Sequence, residues 1–448
     1  MASLLSGLRH IRTIFNPPNV EKSEDALKFG ILGAANIAPL ALILPAKTHP
    51  EVVVYAVAAR DKKRAIDFAK KYNIPKVMDD YQALLDDANI DAVYIPLPNG
   101  LHLEWAMKAL AQGKHVLLEK PSTSNTAEAE LLFRSPILTI QRPAAPVILE
   151  AFHYRFSPAW NCFMSHISQP RVVSVHATAV VPGRLIPHND IRFNYLLAGG
   201  ALMDIGTYCI AAVREIYGIE PQKCLQSKMH PMPTPYERCD GSFRVAFEFP
   251  NRETTDAQNS ARLGIVEGSL QSSLMDFRLP RIEVLHSPVT TETQLSISCL
   301  ILTSTKRKVI FYNFMFPHFY HRVDIEDEVT VERVCKGDFE DRQLISKSTV
   351  KQQKKAYTFQ DTGMDKGGEE YWLTYRWMLG QFVDRIRGRK SASPDVWYES
   401  EESIAQMKAL DMAYEKAGLG ARPSSSGQQN ASQTKPIYCI IVHPNRNQ

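Results

Sequence analysis

A glutamate and a lysine follow an apolar run in the stretch "KHVLLEKPSTS". The run His115–Leu118 predicts a buried strand, and Glu119 and Lys120 come directly after it, before a proline that restricts the backbone. A positive charge at the end of a strand can hold a substrate hydroxyl and stabilise the alkoxide that develops as its proton leaves. An exposed charged loop explains the same residues when they are considered alone. The surrounding elements therefore decide between a catalytic and a loop interpretation.

The segment "GAANIA" joins a predicted strand to a predicted helix and has the pattern G-x-A-x-x-A. Gly33 permits a tight turn, Ala35 is small enough for the backbone to approach a pyrophosphate, and Ala38 allows close packing of the helix on the strand. The N-terminus of the following helix favours phosphate charge. Small residues in any strand-to-helix turn produce this pattern. Its position after the first strand of a βαβ region favours a dinucleotide site.

The second predicted strand ends in an arginine, in the sequence Ala58-Ala59-Arg60. A dinucleotide site that prefers NAD usually has an acidic residue at this position, which binds the ribose 2′-hydroxyl. A guanidinium instead suits a 2′-phosphate. We therefore predict NADP as the cofactor, with a surface arginine paired to Asp61 as the alternative.

The segment "PLPNGLH" follows a later strand and places polar groups at the same edge of the predicted sheet. Asn99 and His102 could face a ligand there, because ligands bind at the carboxyl ends of parallel strands. Asn99 is equally suited to a simple turn, and His102 could cap or pack on its helix.

The segment "AGGALMDIGTYCIAAVREIYG" predicts a helix that ends at Gly218 and carries an acid and a phenol one turn apart. Asp204 and Tyr208 are four residues apart and so lie on one side of the helix. A tyrosine within range of Lys120 would have its pKa lowered and could serve as a base. A cap-region acid and a core tyrosine are the structural alternative. The predicted apolar face consists of Leu202, Ile205, Cys209, Ala212 and Ile216.

Strands and helices alternate through the N-terminal part of the chain, and its strands are continuously apolar. This arrangement predicts a doubly wound parallel sheet covered by helices on both faces. The later part has strand-like runs with period-two alternation and no helices between them, which predicts a mostly antiparallel sheet in a second domain. Two late helices are predicted, in residues 369–388 and 400–418, the second with a serine cap. The predicted fold is therefore α/β, with an α+β second domain built on a large open sheet.

Length and composition are those of a soluble protein of two domains. The chain has 448 residues and a net charge of +4, with no sustained basic stripe, so a nucleic-acid-binding role is disfavoured. It has no run of eighteen apolar residues, and we predict no membrane association. Its seven cysteines form no CxxC pair and no zinc spacing, so no metal is predicted and a reducing, cytoplasmic location is expected.

The two ends of the chain have distinct compositions. The first twenty residues contain arginine and serine but no acid, which loosely matches a mitochondrial presequence. We favour a short N-terminal extension over residues 1–26 instead, because "FNPP" breaks any helix early. Residues 421–448 are polar and low in complexity at their start, and we predict that this tail is disordered.

These motifs, in this order, resemble the glucose–fructose oxidoreductase / inositol dehydrogenase (Gfo/Idh/MocA) family. The resemblance rests on "GILGAANIA", "YIPLPNGLH", "LLEKP", "EAFHYRF" and "GGALMDIGTYC". Within the family it is greatest to the dihydrodiol dehydrogenases and the fungal NADP-dependent xylose dehydrogenases. It implies a Rossmann domain at residues 27–152 and a substrate and oligomerisation domain at residues 153–420, whose last helix could pack back on the first domain. It also implies a homodimer formed through the open sheet.

The resemblance assigns roles residue by residue. Lys120 matches the catalytic lysine of the EKP motif, and Asp204 and Tyr208 match the family's D-x-G-x-[HY] pair. Arg155 falls where this branch has a substrate-side arginine, although a structural salt bridge explains it nearly as well. The predicted substrate-binding residues are Arg155, Phe156, Asp204 and Tyr208. The predicted cofactor-binding residues are Gly33, Ala35, Asn36, Ile37, Ala38, Arg60, Leu97, Asn99, His102, Glu119 and Lys120.

The expected activity is hydride transfer from a sugar hydroxyl to NADP, with D-xylose as the favoured substrate and its 1,5-lactone as product. Oxidation of a trans-dihydrodiol is the alternative within the same class, since Phe152, Phe156 and Trp160 suit a sugar face or an arene. A non-catalytic NADP-sensing regulator is the alternative of a different class. Lys120 and Tyr208 argue against it, because a sensor needs neither.

Overall fold

The computed structural model describes residues 2–139, 145–187, 190–250, 262–296, 298–335, 341–389 and 397–424. Two sheets organise this part of the chain, one of six strands and one of nine. The predicted fold class is confirmed, with a parallel sheet first and a larger, mostly antiparallel sheet after it.

The first sheet is parallel throughout, with the strand order β3-β2-β1-β4-β5-β6. The chain reverses its direction of winding between the first and fourth strands, and in such folds the ligand crevice lies outside the carboxyl ends of the strands at that point. The strand bounds are β1 Leu27–Leu32, β2 Val52–Ala58, β3 Lys76–Val77, β4 Ala92–Ile95, β5 His115–Leu118 and β6 Ile148–Glu150.

Helices connect these strands, as continuous apolar strands require. The short strand β3 and the helix after it were not predicted, because neither has a clear period. A π-helical turn, Pro39–Ile43, precedes the second helix, which continues two residues past Pro45. The helices in this part are α1 Ala2–Phe15, α2 Leu44–Lys47, α3 Lys62–Tyr72, α4 Tyr81–Asp86, α5 His102–Ala111 and α6 Thr126–Phe133.

The second sheet has the order β15-β14-β13-β11-β7-β10-β9-β8, with β12 paired to β13. The pair β7 and β10 is parallel, and the other described pairs of this sheet are antiparallel. Alternate side chains of its central strands are buried, which leaves the opposite face open, as the period-two pattern predicts. The strand bounds are β7 Val172–Pro182, β8 Lys223–Pro231, β9 Asp240–Phe249, β10 Arg262–Ser272, β11 Arg281–His286, β12 Val289–Gln294, β13 Cys299–Tyr312, β14 Arg322–Cys335 and β15 Asp341–Lys354.

Four further helices cover the buried face of this sheet or connect it to the first. They are α7 Pro158–Met164, α8 Thr207–Tyr217, α9 Thr374–Ile386 and α10 Ser400–Lys416. Helix α10 is capped by Glu399, whose capping box with Glu402 replaces the predicted serine cap. It packs on α6, where Asp411 Oδ2 accepts a hydrogen bond of 2.8 Å from the backbone N–H of Thr126.

The stretch Tyr195–Tyr217 has the length and hydropathy of a membrane span, and 83% of its most apolar window is buried inside the protein. A core helix passes the same test. The predicted apolar face of this segment is confirmed, since Leu202, Ile205, Cys209, Ala212 and Ile216 are all buried.

The N-terminal segment forms a packed helix. The side chain of Ile14 in α1 is 1% exposed, and the Phe15 ring stacks on Phe319 with 5.7 Å between centroids. His10 Nε2 lies 2.9 Å from the backbone oxygen of His318. His10 and Phe15 of this helix therefore contact the second half of the chain.

The C-terminal tail is packed where it begins. Arg422 is 1% exposed, and its backbone oxygen accepts a hydrogen bond of 2.9 Å from Asn125 Nδ2. The predicted disordered tail is therefore wrong for residues 421–424, and its remainder, 425–448, lies outside the described residues.

Two cysteines that are 36 residues apart in sequence form a disulfide. Cys299 and Cys335 are direct cross-strand partners at the ends of β13 and β14. The sequence analysis did not predict this pair, because a long antiparallel pair of strands joins distant residues that no sequence spacing reveals. The other described cysteines are free.

Candidate active site

The centre of the site is an ion pair. It joins the half of the molecule that contains the first sheet to the half that contains the second. Lys120 follows β5, and its Nζ donates to the backbone oxygen of Asp204 at 2.8 Å and to Asp204 Oδ1 at 3.1 Å. The lysine side chain is 11% exposed and that of Asp204 is 23% exposed. The structure therefore brings together two motifs that lie 84 residues apart in the sequence.

A second cation holds the other oxygen of the same carboxylate. Arg192 Nε lies 2.9 Å from Asp204 Oδ2. Burial acts to raise the pKa of Asp204, but Lys120 and Arg192 outweigh it and hold that pKa below its ordinary value. Asp204 is consequently an anion that fixes Lys120. Sequence reasoning missed Arg192, which stands in an irregular segment without a motif.

The backbone conformation is constrained just before Asp204, at Gly200 and Leu202. Gly200 has φ +143°, and a Cβ there would lie 2.1 Å from Asp240 Oδ1. Asp240 Oδ2 accepts the backbone N–H of Leu202 at 2.7 Å, where a π-helical turn, Leu202–Gly206, begins. This turn precedes α8 and sets the direction of the Asp204 side chain. The glycine pair of the motif is therefore required by close packing and by backbone conformation.

Tyr208 lies beside the lysine but presents its ring to it. Lys120 Nζ is 4.7 Å from the centroid of the Tyr208 ring. The phenolic oxygen lies 3.2 Å from His153 Nε2. Burial, followed by Tyr375 and Glu119, raises the pKa of Tyr208 well above its ordinary value. The expectation that Lys120 lowers this pKa is wrong here, because the ammonium faces the ring and desolvation dominates.

Glu119 points into the interior. It is 7% exposed, and its Oε1 accepts a hydrogen bond of 2.6 Å from the Tyr94 hydroxyl. Burial raises the pKa of Glu119. Its Oε2 also accepts the backbone N–H of Lys120 at 3.3 Å. These contacts are those of a residue that positions the lysine.

The strand-to-helix turn after β1 has the geometry of a dinucleotide cradle. Gly33 has φ +113°, and a Cβ there would approach Leu97 Cδ2 to 3.2 Å. Ala38 is fully buried, as close helix packing requires, whereas Asn36 is exposed. Ala35 and Ile37 are half-buried. The small residues therefore leave room beside the backbone at the sheet's ligand edge.

Two arginines stand next to this turn. Arg60 follows β2 and is exposed. Arg64, in the first turn of α3, donates from Nη2 to the backbone oxygen of Ala34 at 2.9 Å. Sequence reasoning missed Arg64, although its position four residues after Arg60 on an amphipathic helix was a usable signal. Both cations suit an anionic group at the end of β2.

The polar residues of "PLPNGLH" hold the backbone. Asn99 Nδ2 donates to the oxygen of Ala198 at 3.0 Å, which ties the two halves of the chain together. His102 is fully buried, with Nδ1 2.9 Å from the oxygen of Pro121 and Nε2 2.7 Å from that of Leu97. Burial lowers the pKa of His102 to about 4. The packing alternative stated above for this histidine is what the geometry favours.

Arg155 lies in an ion-pair network. Its Nη1 is 2.7 Å from Glu402 Oε1, and its Nε is 3.4 Å from Glu215 Oε1. This geometry favours the salt-bridge interpretation of the residue. Phe152, Phe156 and Trp160, which were considered as lining residues, are at most 2% exposed and belong to the core.

Comparison with known proteins identifies the first part of the chain. Residues 27–135 match the model of an oxidoreductase family with an NAD-binding Rossmann fold. This part of the chain is therefore similar to the Gfo/Idh/MocA oxidoreductases. The match covers β1 to the end of α6 and includes the cradle and Lys120.

Two curated proteins are similar to this chain over about 200 residues. It is 38% identical over 193 residues to D-xylose 1-dehydrogenase (NADP(+)) 2 of Haloferax volcanii, an alignment that covers 43% of this chain and 58% of the relative. It is 33% identical over 200 residues to trans-1,2-dihydrobenzene-1,2-diol dehydrogenase of Mus musculus, over 44% of this chain and 59% of the relative. The chain thus spans less than two thirds of the length of these relatives.

Solved structures share the fold across most of this chain. A 3-ketoreductase of Actinomadura kijaniata, crystallised with NADP and TDP-benzene, superposes with a TM-score of 0.58 at 20% identity. The superposition covers 87% of this chain and 98% of that one. At 20% identity, this similarity shows only that the two proteins share a fold.

Proposed function

We propose that this protein is an NADP-dependent oxidoreductase that oxidises a sugar hydroxyl, with D-xylose as substrate and D-xylono-1,5-lactone as product. The observation that carries the proposal is the cluster of Lys120, Asp204 and Tyr208 at the carboxyl edge of the parallel sheet, with Nζ 3.1 Å from the carboxylate and 4.7 Å from the phenol ring. A held cation beside a phenol is what alkoxide formation needs. The relative named as a xylose dehydrogenase, at 38% identity, supports the sugar class.

The cofactor fits the residues present. Gly33 opens the cradle, and Arg60 and Arg64 stand where a 2′-phosphate would lie. Bound NADP⁺ supplies the acceptor for the hydride. The name of the Haloferax volcanii relative and the ligand of the Actinomadura kijaniata structure support NADP over NAD.

The chain's own residues have separate roles in this reaction. The reacting hydroxyl lies between Lys120 and Tyr208, and Tyr208 takes its proton. The charge of Lys120 stabilises the oxygen as the proton leaves. Asp204, itself held by Arg192, keeps the ammonium in place.

Oxidation of a trans-dihydrodiol is the second candidate. The relative named for that activity, at 33% identity, is the observation that favours it. The same Lys120 and Tyr208 chemistry applies to either hydroxyl. A pure NADP sensor is disfavoured, because it would not require an ammonium held between a carboxylate and a phenol ring.

An assay of NADP⁺ reduction by the purified full chain tests the proposal. D-xylose, D-glucose, L-arabinose and a benzene dihydrodiol are compared, with NAD⁺ run in parallel. Turnover with D-xylose and NADP⁺ is expected. Turnover with the dihydrodiol alone would replace the substrate, and NADPH binding without turnover on any compound would favour a sensor.

A further inference from the structure

A buried chain of polar side chains leads away from the phenol of Tyr208. The phenolic oxygen lies 3.2 Å from His153 Nε2, and His153 Nδ1 lies 2.7 Å from Thr374 Oγ1. The same hydroxyl lies 3.1 Å from His318 Nδ1. All four side chains are buried, between 0% and 4% exposed. They come from four separate segments of the protein, so no single motif contains all of them.

The hydrogen bonds between these four side chains all have the same donor-to-acceptor direction, from Tyr208 towards His318. The backbone N–H of Thr374 also points at His318 Nδ1, at 3.5 Å, so that nitrogen is an acceptor and the ring proton lies on Nε2. The Thr374 hydroxyl then donates to His318 Nδ1 and accepts from His153 Nδ1–H. The Nε2 of His153 is left as an acceptor for the Tyr208 proton. This assignment gives each of these contacts one donor and one acceptor, and it leaves the Nε2–H of His318 without a hydrogen-bond partner among the described residues.

The imidazole rings of His153 and His318 are both neutral before the reaction. Burial lowers the pKa of His153 well below its ordinary value, and His318 and Lys120 face it and act in the same sense. Burial lowers the pKa of His318 to about 3, with His10 and His321 facing it. A neutral phenol such as Tyr208 can take a substrate proton only if it passes on its own.

The Tyr375 side chain completes the surroundings of His153. Its ring lies on the imidazole with 3.8 Å between centroids, and its hydroxyl forms a hydrogen bond with that of Tyr208. Phe316 also stacks with the imidazole, at 5.9 Å. The Tyr375 hydroxyl is therefore the competing partner for the Tyr208 proton.

We propose that His153 takes the proton of Tyr208 during turnover, and that Thr374 and His318 act as positioning residues that keep His153 Nε2 free to do so. The proposal rests on the proposed function. In the reaction the substrate carbon loses a hydride, for which bound NADP⁺ would be the acceptor, while the substrate O–H bond breaks and a Tyr208 O–H bond forms. The former Tyr208 proton forms the His153 Nε2–H bond. After the product leaves, that proton returns through Tyr208 to water.

A matched pair of variants separates this role from a structural one. His153→Gln offers an amide oxygen to the Tyr208 hydroxyl but has no basic nitrogen, so the hydrogen bond survives and the proton acceptor is lost. We expect kcat to fall about 100-fold, the scale of general acid–base catalysis. KM and NADPH binding stay within about twofold of wild type, and the lost rate is partly regained as pH rises. Wild-type kcat in His153→Gln would overturn the proposal.

Thr374 supplies a second test that does not depend on His153→Gln folding. Thr374→Val removes the hydroxyl that sets the His153 tautomer and keeps the side-chain shape, whereas Thr374→Ser keeps the hydroxyl and removes only the methyl group. The valine variant is expected to lose at least tenfold in kcat relative to the serine variant. Equal rates in the two variants, or a hundredfold fall in Tyr375→Phe with none in His153→Gln, would contradict the assignment.

Nitrogen-15 NMR of histidine-labelled full-length protein gives a readout without turnover, with His153→Gln to assign the signal. A neutral His153 protonated on Nδ1 is expected. Protonation on Nε2 would overturn the proposal. If the wild-type protein turns over none of the tested substrates but shows the Nδ1–H tautomer, the substrate proposal fails while the orientation of His153 stands.

Discussion

The residues at the centre of the site are defined by their charges and by what holds them. Lys120 lies against Asp204, and Asp204 is shared with Arg192. Tyr208 is neutral, because burial raises its pKa. The site therefore combines a lysine that is fixed by a carboxylate with a separate neutral phenol.

Arg60 is predicted to determine the choice between the two nicotinamide cofactors. Arg60→Ala removes a charged hydrogen-bond donor from the expected 2′-phosphate position, and such bonds contribute about 1.5–3 kcal/mol. We expect KM for NADP⁺ to rise about tenfold or more while KM for NAD⁺ stays unchanged, in steady-state assays with both cofactors. Lys70→Ala, at the far end of α3, is the control. An equal loss with both cofactors would assign Arg60 a structural role.

Glu150 is predicted to make the stability of the protein depend on pH. It is fully buried at the end of β6, and burial raises its pKa from 4.5 to about 7, although the Ser122 N–H opposes the shift. A raised carboxyl pKa means that the unfolded chain binds fewer protons between these values. The free energy of unfolding therefore falls as pH rises from 4.5 to 7, by about 3 kcal/mol at 1.36 kcal/mol per unit.

Glu150→Gln should remove this dependence. Denaturant unfolding at pH 5 and pH 8 is expected to show a smaller loss of stability at pH 8 in the variant than in the wild type. The exposed Glu130→Gln serves as the control, with the wild-type pH dependence. Identical pH dependence in Glu150→Gln and the wild type would contradict the assignment.

The catalytic candidates were predictable from the sequence, and their supporting residues were not. Lys120, Asp204 and Tyr208 stand in short motifs, and the rule that strands of a parallel sheet end at one edge indicated where Lys120 lies. Arg192 and His153 act through contacts with residues distant in sequence. The direction of the Tyr208 pKa shift depends on burial by several elements, which no local pattern reports.

At the scale of elements, the strands with a clear apolar run or alternation were predicted, and those without were missed. β5 and β7 follow their patterns, whereas β14 and β15 carry charges along their length and β3 has two residues. The charged strands β14 and β15 pair in a long antiparallel ladder, whose hydrogen bonds compensate for the low strand propensity of their charged residues. The Cys299–Cys335 disulfide lies at the end of that same region.

Helix α1 is predicted to contribute to stability through Ile14. This side chain is 1% exposed and lies with Leu44 and Trp372 around a small cavity between the halves of the molecule. Ile14→Ala should lower the free energy of unfolding by about 2–5 kcal/mol. Ile11→Ala, on the exposed side of the same helix, should cost less than about 0.5 kcal/mol. Equal effects of the two changes in denaturant unfolding would mean that the helix does not pack as described.

At the scale of the whole molecule, the open face of the second sheet is the proposed subunit interface. The centre of this face carries an ionic cluster in which Glu267 contacts both Arg244 and His176. Glu267 Oε1 lies 3.1 Å from His176 Nε2. The sheet's other face is already covered by α8 and the core. A homodimer through this face stays a prediction, as does a cytoplasmic location.

The dimer prediction has a direct test. The wild-type protein is expected to have twice the chain mass of 50.5 kDa in light scattering. Glu267→Arg places like charges in the cluster and should weaken the dimer about tenfold or more. Lys408→Glu, on the exposed side of α10, should leave the dimer unchanged. A monomeric wild type would exclude the interface.

The proposed role of Lys120 is tested by comparing the wild type with Lys120→Met in NADP⁺ reduction with D-xylose, alongside NADPH binding and thermal unfolding. The methionine keeps most of the length of the side chain and removes its charge. We predict that NADPH binding and folding are retained while kcat falls by about 10²–10⁴, the range of a lost acid–base group. A folded Lys120→Met protein that binds NADPH and turns over at the wild-type rate would contradict the proposed role of the Lys120, Asp204 and Tyr208 cluster.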